Sequence, residues 1–136
     1  MKKLVIDLNI LIDFLFKREG HEKVAELFAV FSKNDVLWFI CAHEITTLYY
    51  FLSKSIKDKR KVKKSTSLIM NRFKVIEVND ELLAKALSSE IDDFEDAVIE
   101  ASAKGKNADY IVTRNFKDFK KSMVNAISPE ELLFKI

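Results

Sequence analysis

Three carboxylates occupy positions at which this sequence could do chemistry. Asp7 ends the apolar run Leu4-Val5-Ile6, where an ionised group in tight quarters needs partners. Glu44 falls on the first turn of a helical stretch, where the macrodipole favours an anion. Asp96 stands three residues after Asp93, so the two share a helix face, and it precedes Ala97, Val98 and Ala101 on the side that should pack inward. Each acid has a simpler use: Asp7 and Asp93 as helix N-caps, Glu44 as a solvated helix-start glutamate. The combination carries more than the parts. Like charges brought together raise one another's pKa unless a cation neutralises them. An all-oxygen set, with no cysteine set and no histidine pair beside it, suits Mg²⁺ or Mn²⁺ over zinc. Such a centre suits phosphodiester hydrolysis, because the metal lowers the pKa of a bound water and stabilises charge on the attacking and leaving oxygens.

These acids meet only if the chain brings its segments to one edge. Short apolar runs at 4–6, 36–40, 75–78 and 110–113 read as buried strands, with a fifth, short one near 124–126. Helical spacing links Ile10, Leu11, Phe14 and Leu15 behind an Asn9 N-cap, and then Val24, Leu27, Phe28 and Phe31. A helix over 42–55 would bury Ile45, Leu48, Tyr49 and Leu52, and another crosses the basic region through Leu68, Ile69 and Phe73. Asn79 caps a helix through Leu82, Leu83 and Ala86, Asp93 begins one, and Ser128-Pro129-Glu130-Glu131 has the Pro-at-N1 and capping-box arrangement of a last one. Strands alternating with helices predict an α/β fold, a three-layer α/β/α sandwich around a central parallel sheet of four to five strands. Such sheets carry their sites beyond the carboxyl ends of the strands. Asp7 follows the first strand directly, Glu44 comes four residues after the second and Asn115 two after the fourth.

Composition narrows the class. With 49% hydrophobic and 32% charged residues the chain is expected to fold as a soluble globular protein, and its apolar runs are too interrupted for a membrane span. The opening apolar run reaches Asp7 too soon for a secretory segment, and a lone Cys41 fits a reducing, cytoplasmic setting. The 23 basic and 21 acidic residues nearly cancel, yet residues 54–64 hold seven basic groups against one acid. Lys59, Arg60, Lys61, Lys63 and Lys64 there, with Arg114 further on, are candidates for phosphate contacts with a polyanion. A solvated helix face is the plainer reading of the same run. His43, which adjoins Glu44 without a helical-spacing partner, reads as a satisfied structural histidine, His21 as a surface one, and Cys41 as a small buried residue. Phe28, Phe31, Phe51 and Phe73 fall at core spacings.

The run Val5-Ile6-Asp7-Leu8-Asn9-Ile10-Leu11-Ile12-Asp13 resembles the opening motif of PIN-domain nucleases, an apolar strand followed by Asp, any residue, then Asn, Ser or Thr. Glu44 before Ile45 and Leu48 resembles the family's second acid. Asp96-Ala97-Val98-Ile99-Glu100-Ala101-Ser102-Ala103 resembles its third motif, and Ile111-Val112-Thr113-Arg114-Asn115-Phe116-Lys117-Asp118-Phe119 its fourth. Each motif alone is weak, and four in the family's order are strong. The resemblance implies a single PIN-like nuclease domain over 1–136, with Asp7 and Asp96 as principal Mg²⁺ or Mn²⁺ ligands and Glu44 binding metal or orienting the water. Asn9 and Thr113 would give polar support. The chain departs from the family at Asn115, where many members have Asp; its carbonyl oxygen could coordinate, or Asp118 or Asp93 could supply the missing charge.

Compact members of this family are often the toxin halves of toxin–antitoxin pairs, of the VapC type. The resemblance therefore implies an RNA substrate, a homodimer, and an antitoxin protein that inserts a basic or apolar segment into the acidic groove. Two alternatives share the fold: a non-toxin PIN ribonuclease of RNA processing, and a catalytically inactive PIN fold that binds RNA or protein. A phosphoacceptor receiver module also gathers acids at a sheet edge, but it needs a Lys ending a late strand, where this chain has Thr113-Arg114-Asn115.

Overall fold

The computed structural model describes residues 2–31 and 36–135. The apolar runs form β1 (Lys2–Ile6), β2 (Val36–Cys41), β3 (Lys74–Ile76), β4 (Tyr110–Val112) and β5 (Ala126–Ile127), paired in parallel in the order β3-β2-β1-β4-β5. The connecting helices are α1 (Leu8–Leu15), α2 (His21–Phe31), α3 (Ala42–Ser55), α4 (Lys59–Arg72), α5 (Asp80–Leu87), α6 (Phe94–Gly105) and α7 (Pro129–Phe134). The chain leaves β1 for β2 on one side and reaches β4 on the other, so the strand order reverses at β1. Ligand crevices in such sheets open at that switch, beyond the strand ends. The register fixes what lines it: Ile6 pairs with Val112, which sets Asp7 beside Thr113.

Alternation along the strands builds two cores. Val5, Phe39 and Ile111 pack on one face against Ala86 of α5 and Ala97 and Val98 of α6. On the other face Ile6 and Ile40 meet Ile10 and Leu11 of α1 and Val24 of α2, while Leu4, Val112 and Ile127 meet Leu27 and Leu132 of α7. Phe28 anchors that layer edge-on to Phe14, Trp38 and Phe73, with centroids at 5.3, 5.4 and 5.9 Å. The α3–α4 pair is held to the site end of α1, because Leu48, Leu52 and Val62 cluster with Leu8 and Ile12. Truncating a fully buried member such as Leu48 to Ala would cost about 2–5 kcal/mol. Among the described residues no helix is long and apolar enough to cross a membrane.

Several boundaries differ from the sequence reading for reasons of pairing. Strand β3 stops at Ile76 because its partner β2 ends at Cys41 and turns into α3, leaving residues 77–78 nothing to pair with. The last strand lies at Ala126–Ile127, since the Ser122 hydroxyl bonds both the carbonyl and the amide of Val124 and ties it into a turn. Asp7, not Asn9, caps α1: its backbone is extended and its side chain accepts the Asn9 amide, so Asn9 is already inside the helix. Phe51 is 37% exposed and lies outside the core, because it falls on the outer face of α3. Asn79, Asp93 and Ser128 cap α5, α6 and α7, and Pro129 takes the first helical position.

Candidate active site

Asp7 sits at the centre of the switch. It is 4% exposed; its Oδ2 accepts the Thr113 hydroxyl at 2.8 Å and its Oδ1 the Asn9 amide at 3.4 Å. Burial raises its pKa above 3.8 against the pull of both donors, and Asp118 and Asp13 push it further up. Thr113 is itself fully buried, and its Oγ1 also accepts the Asn115 amide at 2.9 Å.

Glu44 enters from the first turn of α3. Its Oε2 accepts the Leu8 amide at 2.7 Å, whereas its Oε1 is shut off from solvent with no hydrogen-bond partner. Burial first and then the charge of Asp7 raise its pKa well above 4.5, with Asp96 adding and the Leu8 amide opposing. Asp96, on the first turn of α6, is pushed up to about 7 by burial, then by Asp93, Asp7, Asp118 and Glu95. Asp93 is the N-cap of that helix, accepting the Asp96 amide at 3.0 Å.

The loop after β4 brings Asn115 and Asp118 together. Asn115 donates its side-chain amide to Asp118, and the Asp118 charge raises the pKa of both Asp7 and Asp96. Asp118 therefore faces the cluster electrostatically, with Asn115 as its holder. The edge thus collects Asp7, Glu44 and Asp96, each desolvated by burial, with Asp93 and the exposed Asp118 adding negative charge.

Among the described residues no three His, Cys, Asp or Glu side chains already stand as a cage around a cation position. The carboxylates are close enough to repel, and those of Asp7 and Glu44 are held by protein donors. The donor chemistry nonetheless fits a hard divalent cation. The Glu44 Oε1 is a buried oxygen in want of a positive partner, and raised carboxyl pKa values are what a cation would relieve.

Other candidate residues lie elsewhere. Asn9 is exposed, and its contribution to the site is the amide given to Asp7. Lys59, Arg60, Lys61, Lys63 and Lys64 are exposed on the first turns of α4, and among the described residues none has a carboxylate within ion-pair reach. Their helix is tied to the site end through Val62 and Leu8. Arg114 is turned away from the acids: its Nη2 donates to the Gly20 carbonyl at 3.2 Å and to Glu130 at 2.5 Å, and its Nη1 lies 3.8 Å from Asp13. The guanidinium is thus committed to protein groups. The His43 ring is shut off from solvent, and burial lowers its pKa, with Glu95 opposing through its charge and its backbone carbonyl. Two contributors left no clear trace in the sequence: the Leu8 amide, since every residue but Pro has one, and Gly20, whose only signal is that the chain has two glycines.

An all-parallel α/β/α sandwich with carboxylates at its switch point is the class of this protein. Within that class the chain belongs to the PIN domain family, whose model matches residues 3–117. No curated protein matches the chain. Solved structures match its fold closely at low identity. The structure of VapBC2 from Rickettsia felis, bound to a DNA fragment from the promoter, aligns at 18% identity over 93% of this chain and 98% of that one, with a TM-score of 0.74. VapBC-1 from nontypeable Haemophilus influenzae aligns at 17% identity over 94% and 98%, with a TM-score of 0.71. VapC20 of Mycobacterium tuberculosis, described as a toxin that cleaves the sarcin–ricin loop, aligns at 14% identity over 90% and 98%, with a TM-score of 0.66.

Proposed function

We propose that this protein is a divalent-metal-dependent ribonuclease and the toxin half of a toxin–antitoxin pair. The observation that carries the reading is the set of acids at the β1–β4 switch, whose pKa values are raised by burial and by one another, in a chain of the PIN family. Asp7, Asp96 and Glu44 would hold Mg²⁺ or Mn²⁺, with Asp118 as the fourth acid. When bound, the ion supplies an activated water and stabilises charge on the phosphate oxygens. Thr113 holds Asp7 in one orientation through its hydroxyl, and the Leu8 amide does the same for Glu44. Asn115 steadies Asp118. The unpaired cations of α4 would attract the RNA backbone, leaving base preference to the groove.

The solved relatives include toxin–antitoxin complexes, which supports an antitoxin partner; a homodimeric, cytoplasmic toxin is part of the same proposal. The antitoxin would insert a basic or apolar segment into the acidic groove. One observation favours a second reading. The oxygens of Asp7 and Glu44 are partly taken by protein donors and, among the described residues, no cage stands preformed, as in an inactive PIN fold that only binds RNA or protein. One assay separates the two. Purified protein is incubated with a mixed RNA pool in Mn²⁺, in Mg²⁺ and in EDTA, beside the Asp96→Asn variant. Cleavage that needs the ion and Asp96 supports the nuclease; RNA binding without cleavage supports the inactive fold. Growth arrest on expression, absent in Asp96→Asn, tests the toxin role.

A further inference from the structure

We infer that Arg114 is a positioning residue for the acidic centre: by anchoring the end of β4 to the α1–α2 turn, α1 and α7, it sets where Thr113 and Asn115 hold Asp7 and Asp118 for a divalent cation. The inference rests on the metal-dependent reading above and deepens it.

Covalent geometry couples the anchor to the acids. Beyond β4 the chain bends at residue 114, and the Asn115 amide returns to the Thr113 hydroxyl oxygen at 2.9 Å, so the three residues form one tight unit. At the end of β4, Thr113 bonds Asp7 and Asn115 bonds Asp118, while Arg114 between them leaves on the α1–α2–α7 side. A shift of residue 114 therefore moves both holders of the acids at once.

The anchor is built for a guanidinium. One Nη2 serves the Gly20 carbonyl and Glu130, and Nη1 is buried facing Asp13. Gly20 has φ +86°, a left-handed conformation open to glycine, and a Cβ there would come within 2.6 Å of Nη2 and 3.0 Å of Cζ. The turn packs closely against the guanidinium. A planar fork of donors can bond acceptors on two segments while facing a carboxylate on a third, which the point charge of a lysine cannot match. The cation also faces Asp13, one of the carboxylates that raise the pKa of Asp7, so it offsets a charge acting on the centre.

The test is Mn²⁺ binding by isothermal titration calorimetry, performed well below each variant's melting temperature, together with steady-state cleavage. The proteins are the parent, Arg114→Lys, Arg114→Met and Glu130→Gln. Arg114→Met should bind Mn²⁺ roughly 10- to 100-fold more weakly, the scale for removing a partner that orients a metal ligand. Its cleavage should need correspondingly more Mn²⁺ with the KM for RNA unchanged, and Arg114→Lys should recover part of the loss. Should Arg114→Met not fold, Glu130→Gln loosens the same guanidinium and should weaken Mn²⁺ binding by a smaller factor. A lower melting temperature with unchanged Mn²⁺ affinity would make Arg114 a stability clasp only and overturn the inference. So would a raised KM for RNA with a flatter salt dependence and unchanged Mn²⁺ affinity, which is the signature of a phosphate contact. A parent that binds no Mn²⁺ removes the metal reading itself, and this inference with it.

Discussion

Thr113 and Arg114 are consecutive residues that lead to two charge clusters of opposite character. Through Thr113 the chain meets Asp7 and, beyond it, Glu44 and Asp96, whose pKa values are raised by burial and by neighbouring carboxylates, and one buried oxygen of Glu44 has no hydrogen-bond partner. Through Arg114 it meets Glu130 and the Gly20 carbonyl by hydrogen bonds and Asp13 at 3.8 Å, where opposite charges face one another although Nη1 makes no hydrogen bond. The first cluster is costly to fold without a counter-ion; the second holds backbone in place. Chemistry is expected where a protein leaves electrostatics unbalanced, and positioning where it balances them.

The largest effect should come from the unbalanced side. Asp7→Asn keeps a good helix cap and nearly the same volume, and it removes a charge. RNA cleavage should fall about 10²-fold or more, the scale of removing a positioned catalytic group, while circular dichroism and the melting temperature stay near the parent's. Retention of the parent's rate by a pure preparation would erase the contrast between the clusters.

Next comes the basic run, whose cations are as unpaired as those acids. Changing Lys59, Lys61 and Lys63 to Gln should weaken RNA binding and lower the log–log salt slope by about 0.7 for each single-strand phosphate no longer neutralised. An unchanged slope in a fluorescence-anisotropy titration would return the run to a solvated helix face.

The pH dependence of stability follows from the raised pKa values. Asp96 titrates near 7 in the folded chain against 3.8 as its ordinary value, so between these limits the folded state binds more protons than the unfolded one. Stability is therefore fully present below about pH 3.8 and is lost as pH rises towards 7, with Asp7 and Glu44 acting in the same sense. The melting temperature in EDTA should decline across that window. The gain from Mn²⁺ should grow across it, because the ion needs the ionised carboxylates. Asp96→Asn should flatten both trends. A metal-free melting temperature that climbs with pH across the window would contradict the repulsion.

The smallest expected effect tests the balanced side. Gly20→Ala places a Cβ against the Arg114 guanidinium in a left-handed backbone and should cost about 1–2 kcal/mol in urea denaturation. No change would mean that the turn yields and that the clasp is soft.

Much of this was legible because it is local. The caps Asn79, Asp93 and Ser128 precede apolar periodicity and bond amides three residues on, so a short window holds the whole interaction. The helix over Ala42–Ser55 and the parallel sheet follow from periods of 3.6 and 2 in the same way. Asp7, Glu44 and Asp96 could be singled out because each stands at an element boundary, and a parallel sheet sends those boundaries to one edge.

Partners, by contrast, were decided by the tertiary structure. Arg114 reads as a phosphate contact when it is only a letter in a basic segment; the approach of Gly20, Asp13 and Glu130 across the fold is what gives its donors to the protein. Asn115 pairs with Asp118 because the loop after β4 bends their side chains together. The ends of β3 and β5 were set by where a neighbouring strand stops and by a serine hydroxyl. Sequence determines which groups can carry charge, where elements begin and which faces are apolar, since those depend on neighbours along the chain. Which charges stay unpaired depends on groups brought from distant segments, and pairing energies of that kind are settled only when the chain has folded.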